Sequence, residues 1–238
     1  MSYPYALRDA DRPVLGLIAL SSDETVERDL RALIPAEEAD LLVARVPSGA
    51  EVTRETLGAM EEALPAAAAL LPPSALLAGI GYACTSGASV IGSDTVAGMV
   101  RRGRPGVPVT DPLAALIAAC RRRGIERLAL LSPYVEAVSA GLRDALAREG
   151  IATPRFGSFD EAEEARVARI DRGSIVEAAV DLARGEVEAV FLSCTNLRAL
   201  ECLEEIEGRA GMPALCSNGV LGEAMRGMAG LPVPRSPG

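Results

Sequence analysis

The chain has no histidine, no lysine and no tryptophan, and all 24 of its basic residues are arginine. Each absence closes a class of chemistry. Without lysine there is no Schiff-base nucleophile for pyridoxal-type or aldolase-type reactions. Without histidine there is no imidazole base, no Ser-His triad and no histidine-ligated metal. Aromatic residues make up 3% of the 238, whereas apolar residues reach 49% and are dominated by alanine and leucine. That balance suits close helix-on-sheet packing in an α/β protein. The net charge of −9 argues against a nucleic-acid partner, because such proteins need a basic face to release phosphate counterions. The one basic cluster, Arg121-Arg122-Arg123, precedes Gly124 where a helix should end, a place where cations favour the macrodipole.

Cysteine is sparse. Cys84, Cys120, Cys194, Cys202 and Cys216 make an odd count with no C-x-x-C pair, a poor pattern for zinc or disulfides and one that fits a reducing, cytoplasmic setting. No metal is expected. The opening MSYPYALRDADRP has no apolar signal core. Residues 63–93 carry no charge, but Pro65, Pro72 and Pro73 interrupt them. The stretch therefore predicts a helix end, a Pro-Pro loop and a buried strand, and no membrane partner is expected.

What is present is alternation. VLGLIAL (14–20), ADLLVARVP (39–47) and ALLAGIGYA (75–83) read as strands, separated by the helical runs ETVERDLRALI (24–34) and TRETLGAMEEAL (53–64). Such alternation predicts a parallel sheet covered on both faces. The order then restarts with strand RLALLSPY (127–134), helix VEAVSAGLRDALAREG (135–150), strand IATPRF, helix SIVEAAVDLARG and strand EVEAVFLS. Ser21 and Ser132 are 111 residues apart and Cys84 and Cys194 are 110 apart, so the chain reads as an internal repeat of two similar Rossmann-like lobes. The expected division is a first lobe over 14–112, a second over 113–222 and a C-terminal segment over 223–238, Pro-rich from about 231. Two such lobes, related by a pseudo-two-fold axis, would face each other across a cleft, with ligand at the carboxyl ends of the strands.

Both of those strand ends carry the same construction. In GYACTSGAS (81–89) and FLSCTNLRA (191–199) a strand runs into Cys-Thr, a polar residue and then helical spacing. A thiol at a helix start lies in the positive end of the dipole, and that placement predicts a lowered pKa. One such cysteine alone reads as a small core residue; two at equivalent positions read as a pair able to work on opposite faces of one carbon. Thr85, Ser86, Thr195 and Asn196 are residue types that cap helices and also bind carboxylates. Cys120 and Cys202 fall inside helices and read as packing residues, and Cys216 ends a strand near the cleft.

These paired motifs resemble those of the aspartate/glutamate racemase superfamily, whose members carry one cysteine in each of two similar lobes. Within it, LGLIALSSDETVERDL, GYACTSG and SCTNLRALE are most similar to the maleate cis-trans isomerase and ectoine-utilisation branch, with arylmalonate decarboxylase a further relative. The resemblance implies a cofactor-independent isomerase or racemase/epimerase of a small polar metabolite, most readily in the ectoine-utilisation branch. The alternatives are maleate cis-trans isomerisation, arylmalonate-type decarboxylation and amino-acid racemisation. It implies Cys194 as thiolate or nucleophile and Cys84 as the opposing acid/base, in either order. It also implies Ser22, Asp23, Thr85, Ser86, Tyr134, Thr195 and Asn196 as substrate-binding residues, no cofactor, and a homodimer or larger homo-oligomer.

Two departures bear on substrate. Asn196 stands where amino-acid racemases usually have histidine, and Asp23 where maleate isomerases have asparagine. A further carboxylate-binding asparagine of that branch has no match in SFDEAEEARVARI. A carboxylate at Asp23 would repel a dicarboxylate and accept hydrogen bonds from an amine, amidine or hydroxyl, unless it serves only to cap the helix that follows.

Overall fold

The computed structural model describes residues 1–7 and 12–233. VLGLIAL forms β1 (Val14–Leu20), buried beyond its first residue, as a central parallel strand covered on both faces must be. The chain continues through α1 (Val26–Leu33), β2 (Asp40–Val46), α2 (Arg54–Ala69), β3 (Leu77–Ala83), α3 (Thr85–Ile91), α4 (Ser93–Gly103) and the short β4 (Val109–Thr110). These strands form an all-parallel sheet of order β2-β1-β3-β4.

After α5 (Pro112–Arg123) the order repeats. It runs β5 (Arg127–Tyr134), α6 (Glu136–Arg148), β6 (Ala152–Glu161), the single-turn α7 (Glu164–Val167), α8 (Arg172–Leu182), β7 (Ala189–Leu192), α9 (Leu203–Ala210), β8 (Ala214–Cys216) and α10 (Ser217–Met228). The second sheet, β6-β5-β7-β8, is parallel and has the same strand order as the first. The duplicated α/β architecture read from the sequence is present strand for strand.

The lobes exchange their last helices. On α5, Leu113, Leu116 and Ala119 share a core with Leu128, Leu130 and Phe191 of the second sheet. On α10, Leu221 and Met225 share a core with Leu15, Leu17 and Ala83 of the first. The glycines of AGIGYA make room for this: a Cβ on Gly81 would lie 2.5 Å from the Met225 sulfur. Burying one lobe's helix under the other's sheet ties the two together by the same hydrophobic term that builds each core. The limits at 112 and 222 consequently fall at the crossing helices, and residue 223 lies inside α10 rather than in a separate segment. Residues 234–238 of the expected Pro-rich tail lie outside the described residues.

Local chemistry accounts for the ends of α5. The Asp111 carboxylate accepts hydrogen bonds from the Leu113 and Ala114 amides at 2.9 and 3.0 Å, and Pro112 opens the helix. Gly124, with φ +66°, closes it just after the three arginines. The uncharged stretch 63–93 becomes the end of α2, a Pro-Pro turn and β3. Among the described residues no helix is long and apolar enough to cross a membrane.

Candidate active site

β3 and β7 are equivalent strands, each beside the first strand of its lobe, and their carboxyl ends deliver Cys84 and Cys194. Cys84 caps α3 as its sequence predicts. Its backbone is extended and its Sγ accepts the Gly87 amide at 3.1 Å. Gly87 has to be glycine, because a Cβ there would come within 2.5 Å of the Tyr82 hydroxyl and 2.9 Å of Cys84 Sγ.

Cys194 corrects the expectation. No helix starts there; residues 195–199 form an irregular loop, and helical structure begins only at Leu200. The carbonyls that would enter a helical ladder bond elsewhere. The Thr195 carbonyl accepts from Asn218 Nδ2 at 2.8 Å, and the Asn196 carbonyl accepts from the Thr25 hydroxyl at 2.9 Å. Cys194 itself has φ +109°, a region that non-glycine residues seldom occupy. Ser217 Oγ accepts its amide at 3.0 Å, and its own Sγ accepts the Asn196 amide at 3.3 Å.

The expected lowering of the thiol pKa values is also overturned. Both side chains are buried, at 5% and 4% exposure, and desolvation of a thiolate outweighs any helix-end stabilisation. Burial pushes the Cys84 thiol up to about 12, with the Gly87 amide and Tyr82 hydroxyl opposing. Burial likewise raises Cys194 well above the usual thiol range, against the Tyr134 hydroxyl and the Asn196 amide. The negative charges of Glu164 and Asp23 push both thiols in the same direction. The two cysteines thus share one electrostatic environment, and both rest as neutral thiols.

A further buried residue of this site is Glu164, at the start of α7. Its Oε1 accepts the Tyr134 hydroxyl at 2.7 Å and its Oε2 accepts Asn196 Nδ2 at 2.7 Å. The same Tyr134 oxygen lies 2.9 Å from Cys194 Sγ. Burial raises the Glu164 pKa, and these two donors oppose the rise. Nothing in SFDEAEEARVARI singles Glu164 out, since it is one of four acids in residues 160–164. Ser217 was equally invisible, although its hydroxyl joins the two cysteine loops, contacting Thr85 Oγ1 at 2.7 Å while accepting the Cys194 amide.

Most of the candidate binding residues named from the sequence converge here, but several are occupied by the protein. Asn196 spans the lobes, accepting the Glu24 amide at 2.9 Å and donating to Glu164. The Thr195 hydroxyl donates to the Ala83 carbonyl at 3.2 Å. Ser22, half-buried, pairs with the Ser48 hydroxyl at 2.9 Å, and Ser86 is buried in the first turn of α3. Asp23 serves as the cap that the sequence offered as one of its two readings. Its Oδ1 caps α1, accepting the Thr25 and Val26 amides at 2.8 Å each. Its Oδ2 is buried with no partner in hydrogen-bond geometry, and desolvation raises its pKa against the two amides, the neighbouring Thr195 side chain and the charge of Arg45.

A strap closes the lobes over this cluster. The Val52 amide donates to the Ala162 carbonyl and the Glu164 amide to the Ala50 carbonyl, at 3.0 and 3.1 Å. Beside it lies a small cavity of about 10 Å³, lined by Leu20, Ser48, Val52, Met60 and Glu164 among others. Cys216 faces elsewhere. It caps α10, accepting the Gly219 amide at 3.3 Å, and borders an apolar cavity with Leu33, Leu200 and Leu203. Among the described residues no group of three or more His, Cys, Asp or Glu side chains is placed to hold a metal ion.

Comparison with known proteins fits this geometry. The arylmalonate decarboxylase family model matches residues 89–231. The arylmalonate decarboxylase of Bordetella bronchiseptica is 29% identical over 119 residues, a match that spans 49% of this chain and half of that protein's length. The maleate isomerase of Nocardia farcinica is 27% identical over 215 residues, 84% of each chain. Among solved structures, maleate isomerase Iso of Pseudomonas putida S16 superposes with a TM-score of 0.85 at 21% identity, over 93% of this chain and 94% of that one. A mutant of the Nocardia farcinica maleate cis-trans isomerase with a covalently bound succinylcysteine intermediate superposes equally well, at 24% identity over the same shares. With a family match reaching from α3 to the end of α10, on a two-lobed fold shared along nearly its whole length, the chain is an enzyme of the arylmalonate decarboxylase family, within the superfamily its paired cysteine motifs resemble.

Proposed function

We propose that this enzyme is a two-thiol cis-trans isomerase of the maleate type, acting on a small alkene activated by a carboxylate. Cys194 sulfur adds to one alkene carbon as its proton leaves, and the Cys84 thiol delivers a proton to the neighbouring carbon. Rotation about the resulting single bond, followed by return of that proton to Cys84 and cleavage of the C–S bond, gives the trans isomer with no net change in protons or electrons. The observation that carries the reading is the pair of buried thiols at equivalent strand ends, joined through Thr85 and Ser217 and under the same two carboxyl charges. The relatives that align over most of the chain are maleate isomerases, which favours this reading over the ectoine-utilisation one.

The test is conversion of maleate to fumarate by the single variants Cys84→Ser and Cys194→Ser. Each is expected to lose about 10²-fold or more, the usual worth of a positioned acid–base or nucleophilic group. Near-normal turnover in both would sink the two-thiol mechanism.

Asp23 and Glu164 favour a second reading, proton transfer on a less anionic polar metabolite as in the ectoine-utilisation branch. A lining with two carboxyl groups suits a substrate that offers hydrogen-bond donors. Incorporation of solvent deuterium into recovered substrate at the rate of isomerisation, with maleate inert, would select it.

A further inference from the structure

A chain without histidine needs another group to take the proton from a thiol whose burial holds it neutral, and the proposed function depends on that step. From Cys194 Sγ one hydrogen-bonded path leads to a carboxyl group. Tyr134 Oη lies 2.9 Å from Cys194 Sγ and 2.7 Å from Glu164 Oε1. A phenol has one proton and can serve only one acceptor at a time. When Glu164 is a carboxylate, Tyr134 donates to it and the phenol oxygen is left to accept from the Cys194 thiol. When Cys194 is a thiolate, the phenol proton is needed there instead. The carboxyl group is fixed for this exchange, because Asn196 holds Oε2 at 2.7 Å and is itself held by the Glu24 amide at 2.9 Å.

We infer that Glu164 is the proton acceptor for Cys194, acting through Tyr134. In the step that forms the C–S bond, the thiol proton passes to Tyr134 Oη as the phenol proton passes to Glu164 Oε1. Thiol and carboxylate become sulfide and carboxylic acid, and Tyr134 is neutral before and after. Cleavage of the C–S bond reverses both transfers. Glu164 thus acts as a positioning and proton-holding residue behind Tyr134, whose hydroxyl touches the reacting sulfur. Among the described residues Cys84 has no such hydrogen-bonded route. The hydroxyl of its neighbour Tyr82 meets the Met60 thioether at 3.7 Å, which takes no proton at neutral pH, and Asp111 acts on Tyr82 through its charge rather than a hydrogen bond. The assignment deepens the proposed function for the same site, and it specifies Cys194 as the thiol that becomes the nucleophile and Cys84 as the one that stays protonated.

Among the described residues, the groups facing Glu164 are Tyr134 on β5, Cys194 and Asn196 after β7, Cys84 after β3, Asp23 after β1 and Glu51 on the strap, with no cation among them. Electrostatics and the relay therefore make opposite predictions. The charge of Glu164 raises the Cys194 pKa, so a purely electrostatic role would make Glu164→Gln alkylate faster. The relay makes it slower.

The experiment is alkylation of the full chain by iodoacetamide across mildly acidic to mildly alkaline pH, with Cys194 and Cys84 followed separately by peptide mass mapping. In the wild type the Cys194 rate is expected to rise through one ionisation above the ordinary carboxylate range and then level off. In Glu164→Gln the plateau should vanish and the neutral-pH rate should fall about tenfold or more, while Cys84 labelling does not fall. Tyr134→Phe should reproduce that loss with Glu164 intact. Unchanged or faster Cys194 alkylation in Glu164→Gln, with the wild-type pH profile, would overturn the relay. The Cys84 rate measured in the same sample reports whether a variant has unfolded or opened. If the alkylation result is as expected but maleate is not turned over, the relay stands and the substrate reading fails. If maleate is turned over and Cys194 ignores Glu164, the reverse holds.

Discussion

Cys84 and Cys194 occupy the same place in two copies of one fold, yet their surroundings differ in kind. Cys84 sits where a strand becomes a helix, in relaxed extended backbone, with one amide and a tyrosine whose hydroxyl meets a thioether. Cys194 sits in an irregular loop at φ +109°, with a tyrosine backed by a buried carboxyl. Strain of this kind persists only where surrounding bonds over-determine it, and here Ser217, Asn196 and Tyr134 do so. Duplication supplied two thiols; divergence of the residues behind them made one a candidate proton donor and the other a candidate nucleophile.

The largest test of that contrast sets the two tyrosines against each other. Tyr134→Phe is expected to lower turnover about 10²-fold, and Tyr82→Phe less than about tenfold, because only the first is hydrogen-bonded to a carboxyl group behind it. Equal losses measured by steady-state kinetics would erase the distinction between the thiols. Next in size is Ser217→Ala, which leaves the buried Cys194 amide without its acceptor. A loss of about 1–3 kcal/mol in stability is expected, read by denaturant titration, with a lower kcat because the strained loop relaxes.

Glu164→Gln should separate stability from activity. The folded state raises the Glu164 pKa, so the native protein holds this proton more tightly than the unfolded chain does. Ionising this residue then costs stability progressively as pH rises from its unfolded pKa through its folded one. The variant should accordingly melt higher than the wild type at neutral pH, and the gap should close on acidification below the ordinary carboxylate range. A gap independent of pH in thermal melts would mean that the carboxyl is not the source. The smallest effect expected is for Cys216→Ala. That thiol is buried and caps a helix just as Cys84 does, but it borders a different cavity, so turnover should be unchanged.

Much of this is legible in the sequence. Strands are marked by short apolar runs and helices by their spacing, and the 110-residue offset between Cys84 and Cys194 aligned the lobes. Local signals of that kind need only neighbours in the chain. The cap at Cys84 was legible for the same reason, since Thr85, Ser86 and Gly87 lie in the turn it closes. The identical spacing after Cys194 misled, because the carbonyls that would have continued a helix bond to Thr25 and Asn218, 171 and 23 residues away. Thiol pKa values misled similarly: a helix end is visible in sequence, but the depth of burial that outweighs it is not.

The sequence by itself determined that this is a duplicated α/β protein with matched thiols at equivalent strand ends and no histidine to activate them. Only the tertiary structure decided which thiol is backed by a carboxyl group, that Asp23 both caps α1 and keeps one oxygen bare, and that each lobe's last helix lies under the other's sheet. The physical reason is range. Periodicity and capping act over one turn or one pleat, whereas Glu164, Tyr134, Cys194 and Ser217 come from four separate elements. Their chemistry exists only once the hydrophobic burial of α5 and α10 has brought those elements to a single point.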